Sequence, residues 1–444
     1  MASLEDVEDA TRLEGGGALE QRFAALSRLL VAHHALWAHR PFVQLPAPWE
    51  DDYPEVSRWA RSLDERAVEA YEAAADAVRE PPGPDFAALP GAPPPPSRLR
   101  ELASSARALC EVLPLPQRSA GVEADDEQRR HLSWKIPGRK LEQILAFGRV
   151  ALCGLGAAPR AYVDWCAGKG HLGRTLSLLS GLPAVCIETQ ATLCERGAAL
   201  TERVHRLQGR ALSARCRFVT ASVFEPNAHE ELGPDVTALA LHACGDLGIE
   251  LLVRAVERGV PALALAPCCY HRVPGGSYRP LSRAGAASGL ELAQPGLRLP
   301  AAEEVTARAG MRAMRRREMV WRLAFDQLRR EASGDDRYRS LPPLPPRWFR
   351  LPLAAFCARA ATLEGGTALP ARWDAEALER EATQRVVTAR ALGLVRAVFR
   401  RPLELWLVLD RALWVAERGY RVRVGAFCAR DLTPRNLALL AEKN

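Results

Sequence analysis

The stretch that most restricts the fold of this chain is residues 160–174, RAYVDWCAGKGHLGR. An apolar run closes on Tyr162 and Val163, Asp164 stands at its tip, and Gly168, Gly170 and Gly173 follow at once. A helical pattern opens at Leu172. Strand, acid, glycine turn and helix in that order form the first half of a nucleotide-binding βαβ unit. Glycine has no Cβ and tolerates positive φ, so the turn lets backbone approach a ligand closely and delivers it to a helix N-terminus.

From Trp134 onward the pattern alternates between strands and helices, which predicts a parallel sheet. The predicted strands are residues 161–164, 184–188, 217–220, 236–241 and 262–266, with helices such as 172–179 and 191–208 between them. The sheet pattern then stops until two strands at 420–428 and 436–441, joined by a loop with Pro434. Before the sheet, residues 18–79 and 98–113 read as helical around a proline-rich stretch. The expected organisation is a helical N-terminal region at 1–130 with a Pro-rich linker or surface loop at 81–97, and a ligand-binding core at 131–271. A mainly helical insert at 272–419 and a closing hairpin at 420–444 complete it.

Two cofactors use a turn of this kind. Gly168-x-Gly170-x-x-Gly173 satisfies the dinucleotide fingerprint, and Glu188 lies where its ribose carboxylate belongs. In the dinucleotide version, however, the first glycine sits at the strand end, so that pyrophosphate reaches the helix N-terminus. Here Asp164 holds that end, with Trp165-Cys166-Ala167 before the first glycine. A carboxylate there repels a pyrophosphate and suits a ligand with a cationic amino-acid end and no phosphate, which describes S-adenosylmethionine. The terminal hairpin agrees, because class I methyltransferases close an otherwise parallel sheet that way. The predicted fold class is therefore α/β: a class I methyltransferase (Rossmann-like) sheet of seven strands with a terminal antiparallel hairpin, a helical N-terminal region and a helical insert after strand 5.

The remaining composition is ordinary. With 444 residues, 48% hydrophobic and 25% charged, the chain suits a globular protein of two or three domains. A net charge of +7 permits an acidic partner such as RNA without demanding one. The 11 cysteines are odd in number and form no CxxC pair, which fits reduced thiols. An acidic N-terminus unlike a signal peptide, and no apolar run of about 20 residues, make a cytoplasmic protein without membrane spans the expectation.

Two further clusters carry candidate chemistry. Glu188 is placed to accept from ribose hydroxyls, Ser222 to meet the adenine edge, and Asp164 to face the donor's ammonium directly or through water. His242-Ala243-Cys244-Gly245-Asp246 follows the fourth core strand, and Pro267-Cys268-Cys269-Tyr270-His271 follows the fifth. Ligands of open α/β sheets bind outside the carboxyl ends of the strands, so both clusters should meet on one rim. Three readings stand. The cysteines and histidines supply enough ligands for zinc, but adjacent cysteines chelate one ion poorly and the spacing matches no standard motif. Alternatively, Tyr270 stacks on a planar acceptor while His242 or His271 removes its proton. In the third reading they are small side chains packed behind the cofactor. The acceptor-pocket reading is preferred and no metal ligand is assigned. Methyl transfer itself mainly needs alignment and proton removal.

Basic residues offer contacts for a polyanion. Lys135, Arg139 and Lys140 can hold a carboxylate or phosphate, or simply form a solvated turn. An Arg-rich helix at 311–330, with Arg312, Arg315, Arg316, Arg317, Arg322, Arg329 and Arg330, is the better RNA candidate, though Trp321, Phe325 and Leu328 make one face core.

Together, Asp164-x-Cys166-Ala167-Gly168-Lys169-Gly170-His171, the HACGD cluster at 242–246 and CCYH at 268–271 resemble one group of class I methyltransferases. Asp410-Arg411-Ala412-Leu413 and Thr433-Pro434-Arg435-Asn436 add to the likeness. The group contains methyltransferase-like protein 25 and the glutathione-S-transferase C-terminal-domain-containing proteins, with bacterial relatives. The tRNA acceptor-stem 2′-O-methyltransferases are more distant members. The resemblance spans residues 134–441. Cys166 departs from the broad methyltransferase pattern, where glycine commonly stands, but is similar to this subgroup. The resemblance implies S-adenosylmethionine held by Asp164, Cys166, Gly168, Gly170, Glu188, Ser222 and His242. It implies an acceptor faced by His242, Cys269, Tyr270 and His271, with RNA the leading candidate. A protein or small-molecule acceptor, and a binding module without turnover, are the alternatives.

Overall fold

The computed structural model describes residues 13–77, 83–117, 124, 126–156, 158–208, 216–302 and 309–444. Its central sheet is built from β1 (Leu13–Glu14), β2 (Ala161–Trp165), β3 (Ala184–Glu188), β4 (Cys216–Thr220), β5 (Val236–Cys244), β6 (Ala262–Cys268), β7 (Tyr420–Ala426) and β8 (Leu437–Lys443). Across the sheet the order is β1-β7-β8-β6-β5-β2-β3-β4. Strands β2 to β6 pair in parallel, β8 runs antiparallel to β6, and β7 runs antiparallel to β8. The strand order reverses beside β2, where β3 lies to one side and β5 to the other, and that reversal opens a ligand crevice.

The sheet has eight strands rather than the expected seven. Leu13 and Glu14 pair with Val424 and Arg423, which covers the edge that β7 would otherwise expose. Two residues give no periodicity, so this strand left no signal in the sequence.

The principal helices are α1 (Gly16–Ala32), α2 (Pro54–Ser62), α3 (Glu65–Ala75), α4 (Gly138–Gly154), α5 (His171–Ser180), α6 (Ala191–Gln208), α7 (Asp246–Glu257), α8 (Ala309–Ser333), α9 (Ala375–Ala397) and α10 (Arg400–Ala416). Side chains alternate across the strands, so each face of the sheet builds its own core. Val163, Val185, Ala238 and Leu263 belong to the core that includes α1, α7 and α10. Tyr162, Cys186, Leu239 and Ala264 belong to the opposite core with α4 and α5. Both faces are covered, as a parallel sheet requires.

The expected boundaries at 130 and 419 do not separate independent cores. Helix α10 lies on the sheet against β7 and β8, is buried from Arg401 to Val415, and packs along α1. Trp406 meets Phe23 with ring centroids 5.0 Å apart and donates its indole N–H to Ser27 Oγ at 2.9 Å. One apolar core therefore joins the N-terminal helices, the sheet and α10. A satellite core around Trp321, Phe325, Trp348 and Phe356 organises the rest of the insert. The described part of the proline-rich segment is a packed loop rather than a linker: Phe86 meets Trp59, and the Pro93 carbonyl accepts from both Trp59 and Tyr71. Among the described residues no helix is long and apolar enough to cross a membrane.

Candidate active site

The glycine turn is braced by two acids. Asp164, near the end of β2, accepts the Gly173 N–H at 2.8 Å and so caps the first turn of α5. Glu188, closing β3, accepts the Gly168 N–H at 3.0 Å and the Gln190 N–H at 3.0 Å. Both carboxylates are buried. Burial pushes the Asp164 carboxyl up to about 7, against the opposing pull of the Gly173 N–H, Arg174 and Lys140.

The three glycines have different tasks. A Cβ at Gly173 would fall 2.6 Å from Cys186 Sγ, and one at Gly170 would fall 2.6 Å from the Phe218 ring. Those two are needed for packing of α5 on the sheet. A Cβ at Gly168 would meet no atom within 4 Å, although its φ is +59°. Gly168 therefore faces open space, with a carboxylate fixed on its own N–H. An acidic cradle with an open side fits a donor bearing hydroxyls and an ammonium. Ser222 lies just beyond β4, half-buried, and its Oγ accepts the Phe224 N–H at 3.4 Å within its own turn.

The other two clusters meet, as expected. Strand β5 carries a bulge between Leu241 and Ala243, which places His242 at φ +61°. Bulges re-aim side chains beside active sites. Beyond the bulge Cys244 pairs with Cys268 in the β5–β6 ladder. Gly245 donates to the Cys268 carbonyl at 2.9 Å, and Asp246 N–H donates to the Arg272 carbonyl at 3.1 Å. A Cβ on Gly245 would lie 1.9 Å from Arg272 O, so only glycine admits this crossing of the two loops.

The ring of His242 is held from a direction the sequence did not reveal. Gln143 on α4 donates its Nε2 to the Leu432 carbonyl at 2.6 Å, which leaves its Oε1 as the acceptor for His242 Nε2–H at 2.9 Å. Nδ1 then carries the lone pair, an assignment made from the hydrogen-bond network. Burial, with Arg435 and Lys140 nearby, lowers the imidazole to about 4. The periodicity of α4 shows its apolar face, but gives no reason to single out one glutamine among its polar positions.

Tyr270 corrects an expectation. It is fully buried, its hydroxyl reaches only the Pro267 carbonyl at 3.5 Å, and its face is covered by Arg411. It cannot stack on an acceptor. Cys269 is half-buried at φ +46°, and hydrogen bonds from Cys244 and Cys268 pull its thiol down. His271 is half-buried, and lines a cleft of about 640 Å³ together with Phe224, Cys244, Asp246, Arg272 and Arg298. His242, Glu188 and Gly168 lie outside that lining.

The Arg-rich helix divides. Arg312, Arg315 and Arg317 are exposed near the start of α8. Arg322 is tied to Glu318 and to the carbonyls of Leu341 and Pro342, while Arg329 and Arg330 both pair with the buried Asp326. The second half of this helix is structural and offers no continuous basic face.

The strand order and the closing antiparallel hairpin are those of a class I, Rossmann-like fold. Residues 140–275 match a family model described as a methyltransferase domain, a span running from the start of α4 through the CCYH loop. Among solved structures the chain is similar to the mitomycin 7-O-methyltransferase MmcR, at 20% identity and a TM-score of 0.21, over 31% of this chain and 41% of that one. It is also similar to an O-methyltransferase family protein from Burkholderia thailandensis, at 14% identity and a TM-score of 0.22, over 56% of this chain and 88% of that one. The match over residues 140–275 is to a methyltransferase domain, and a domain of that kind implies a donor of the S-adenosylmethionine type.

Proposed function

We propose that this protein transfers a methyl group from S-adenosylmethionine to RNA at the carboxyl ends of β2, β5 and β6. The observation that carries the reading is backbone strain in register. Cys166, His242 and Cys269 are three of only five non-glycine residues with positive φ among the described residues. Cys166 and Cys269 directly follow β2 and β6, and His242 sits at the bulge of β5, the strand between them, two residues before its end. Such conformations cost about 1–3 kcal/mol each and concentrate where function demands them.

Gly168, Gly170 and Cys166 shape the donor cradle, Glu188 orients toward the ribose, and Asp164 counters the ammonium. Ser222 borders the adenine side, and His242 stands between donor and acceptor. When bound, S-adenosylmethionine supplies an electrophilic methyl group on its sulfonium. The chain's own task is to align the acceptor and take its proton, and that proton we assign to His242, whose ring orientation is supported by its hydrogen bond to Gln143. Cys269 and His271 flank the acceptor. RNA is favoured by the exposed Arg272 and Arg298 on the cleft and by the exposed arginines at the start of α8. A protein or small-molecule acceptor is the second reading, favoured by the internal pairing of Arg322, Arg329 and Arg330. A module without turnover is disfavoured by the open side of Gly168.

The test begins with calorimetric titration of S-adenosylhomocysteine, with NAD in parallel, followed by transfer of labelled methyl to total RNA and to RNA-depleted extract. Binding of the first ligand alone, with label in RNA, supports the proposal. Label confined to the RNA-depleted extract replaces the acceptor, and NAD binding overturns the donor.

A further inference from the structure

Two adjacent residues of a strand point to opposite faces of the sheet, which is why Cys268 and Cys269 make a poor ligand pair in sequence. The structure removes that objection. Cys268 is the last residue of β6, and Cys269 turns to φ +46°, so the alternation ends between them. Cys244, the ladder partner of Cys268, places its Sγ 3.4 Å from Cys268 Sγ. All three sulfurs lie within 4.8 Å of one another.

We infer that Cys244, Cys268 and Cys269 bind one thiophilic cation, Zn²⁺, with a coordination position left open toward the cleft. Zinc–thiolate bonds of about 2.3 Å in a tetrahedron put sulfurs about 3.8 Å apart, so small side-chain adjustments suffice to close the site around an ion. Cys268 is buried and, as the last residue of β6, anchors the set from the sheet; its thiol donates to the His242 carbonyl at 3.1 Å, a proton that zinc binding displaces. Cys244 and Cys269 are half-buried, and Cys244 also lines the cleft. Three protein ligands beside an accessible cleft are the arrangement of a catalytic zinc site, whereas structural sites close all four positions. The three sulfurs carry one more negative charge than the ion neutralises, and Arg272 lies near enough to act electrostatically on Cys244 and Cys269. The remaining position faces the place proposed for the acceptor, where a bound cation polarises an oxygen, nitrogen or sulfur ligand. The site rests on thiol geometry alone and stands apart from the identity of the methyl donor.

The experiment uses the full chain, purified under reducing conditions without chelator, with metal content read by mass spectrometry. After removal of zinc, a Co²⁺ titration follows the thiolate-to-metal charge-transfer band. About one equivalent of zinc and a saturable cobalt band are expected. Both should be lost in Cys244→Ser and in Cys269→Ser, and kept in Cys153→Ser, a half-buried thiol on α4. Circular dichroism verifies that each variant is folded. A folded wild-type chain with neither zinc nor a cobalt band overturns the inference, as does metal retained at wild-type level in both folded cluster variants.

Discussion

The guanidinium of Arg411 stands over the ring of Tyr270, 5.4 Å from its centroid, and both side chains are wholly buried. The same guanidinium lies 5.2 Å from the Tyr278 ring, and its Nη1 donates to the Leu407 carbonyl at 2.6 Å. A cation between two aromatic faces supports the CCYH loop from behind, so Tyr270 orients the cluster without touching substrate. Tyr270→Phe should therefore leave S-adenosylhomocysteine affinity unchanged, because the hydroxyl makes only a long contact. Tyr270→Ala should cost about 3–5 kcal/mol through the cavity it opens. Calorimetry and thermal melting of the two variants check this, and a large affinity loss in Tyr270→Phe would restore a direct role.

Asp410 completes the clamp. Its carboxylate accepts from Tyr278 Oη at 2.7 Å, Leu281 N at 2.7 Å, Ser282 N at 3.0 Å and Ser282 Oγ at 2.6 Å. Four donors from the loop after β6 thus converge on one buried acid of α10. Asp410→Ala leaves them unsatisfied and should cost about 3–5 kcal/mol, by analogy with breaking a buried charged network. Denaturant melts should record that loss, with Asp410→Asn falling between it and wild type. A change under about 0.5 kcal/mol, the size typical of an exposed position, would show that the loop is held elsewhere.

The glycine turn separates binding from packing. Gly173→Ala places a methyl group 2.6 Å from Cys186 Sγ and 3.3 Å from the Asp164 carboxylate. Both neighbours are buried in the sheet, so the variant should lose about 1–3 kcal/mol of stability. Gly168→Ala meets no atom, and its penalty is the left-handed backbone alone, about 1–2 kcal/mol. Its methyl group, however, points into the open space proposed to hold the donor. The expected contrast is a stability defect in the first variant and weakened S-adenosylhomocysteine binding in both, with the second still well folded. Undiminished affinity in Gly168→Ala would move the donor away from this turn.

The core of the fold was legible because its strands are short apolar runs punctuated by glycine, proline and acids. All five predicted core strands begin within one residue of the observed ones, and both β5 and β6 run farther than predicted, to Cys244 and Cys268. Those extensions carry the chemical clusters into the ladder, so polar-looking motifs read as loops proved to be strand ends. Roles that depend on partners far along the chain stayed hidden. Gln143 reaches His242 across 99 positions, and Asp410 reaches Ser282 across 128. Tyr270 in an exposed-looking loop gave no hint that α10 would cover it. In the Arg-rich helix the pairing of Arg329 was only partly legible: Asp326 is one turn away on the same helix, whereas Glu364, just past the helix Leu353–Leu363, is 35 positions distant.

Asp164 makes the proposed donor site sensitive to pH. Burial lifts its carboxyl from an ordinary 3.8 to about 7, and the groups facing it are the Gly173 N–H and Arg174 of α5, Lys140 of α4 and Glu188 of β3. The folded chain then holds a proton that the unfolded chain releases near 3.8. The stability this contributes is fully present below 3.8 and is lost as pH rises through about 7. A ligand ammonium reverses the preference, because it favours the carboxylate. Binding of S-adenosylhomocysteine below about pH 7 should therefore expel a proton, and affinity should climb toward a plateau above it, by at most about tenfold per pH unit. Titrations at about pH 6 in buffers of different ionisation enthalpy measure the proton directly. The release should vanish in Asp164→Asn. An equal proton count in that variant would assign the linkage to another group and remove Asp164 from the ammonium site.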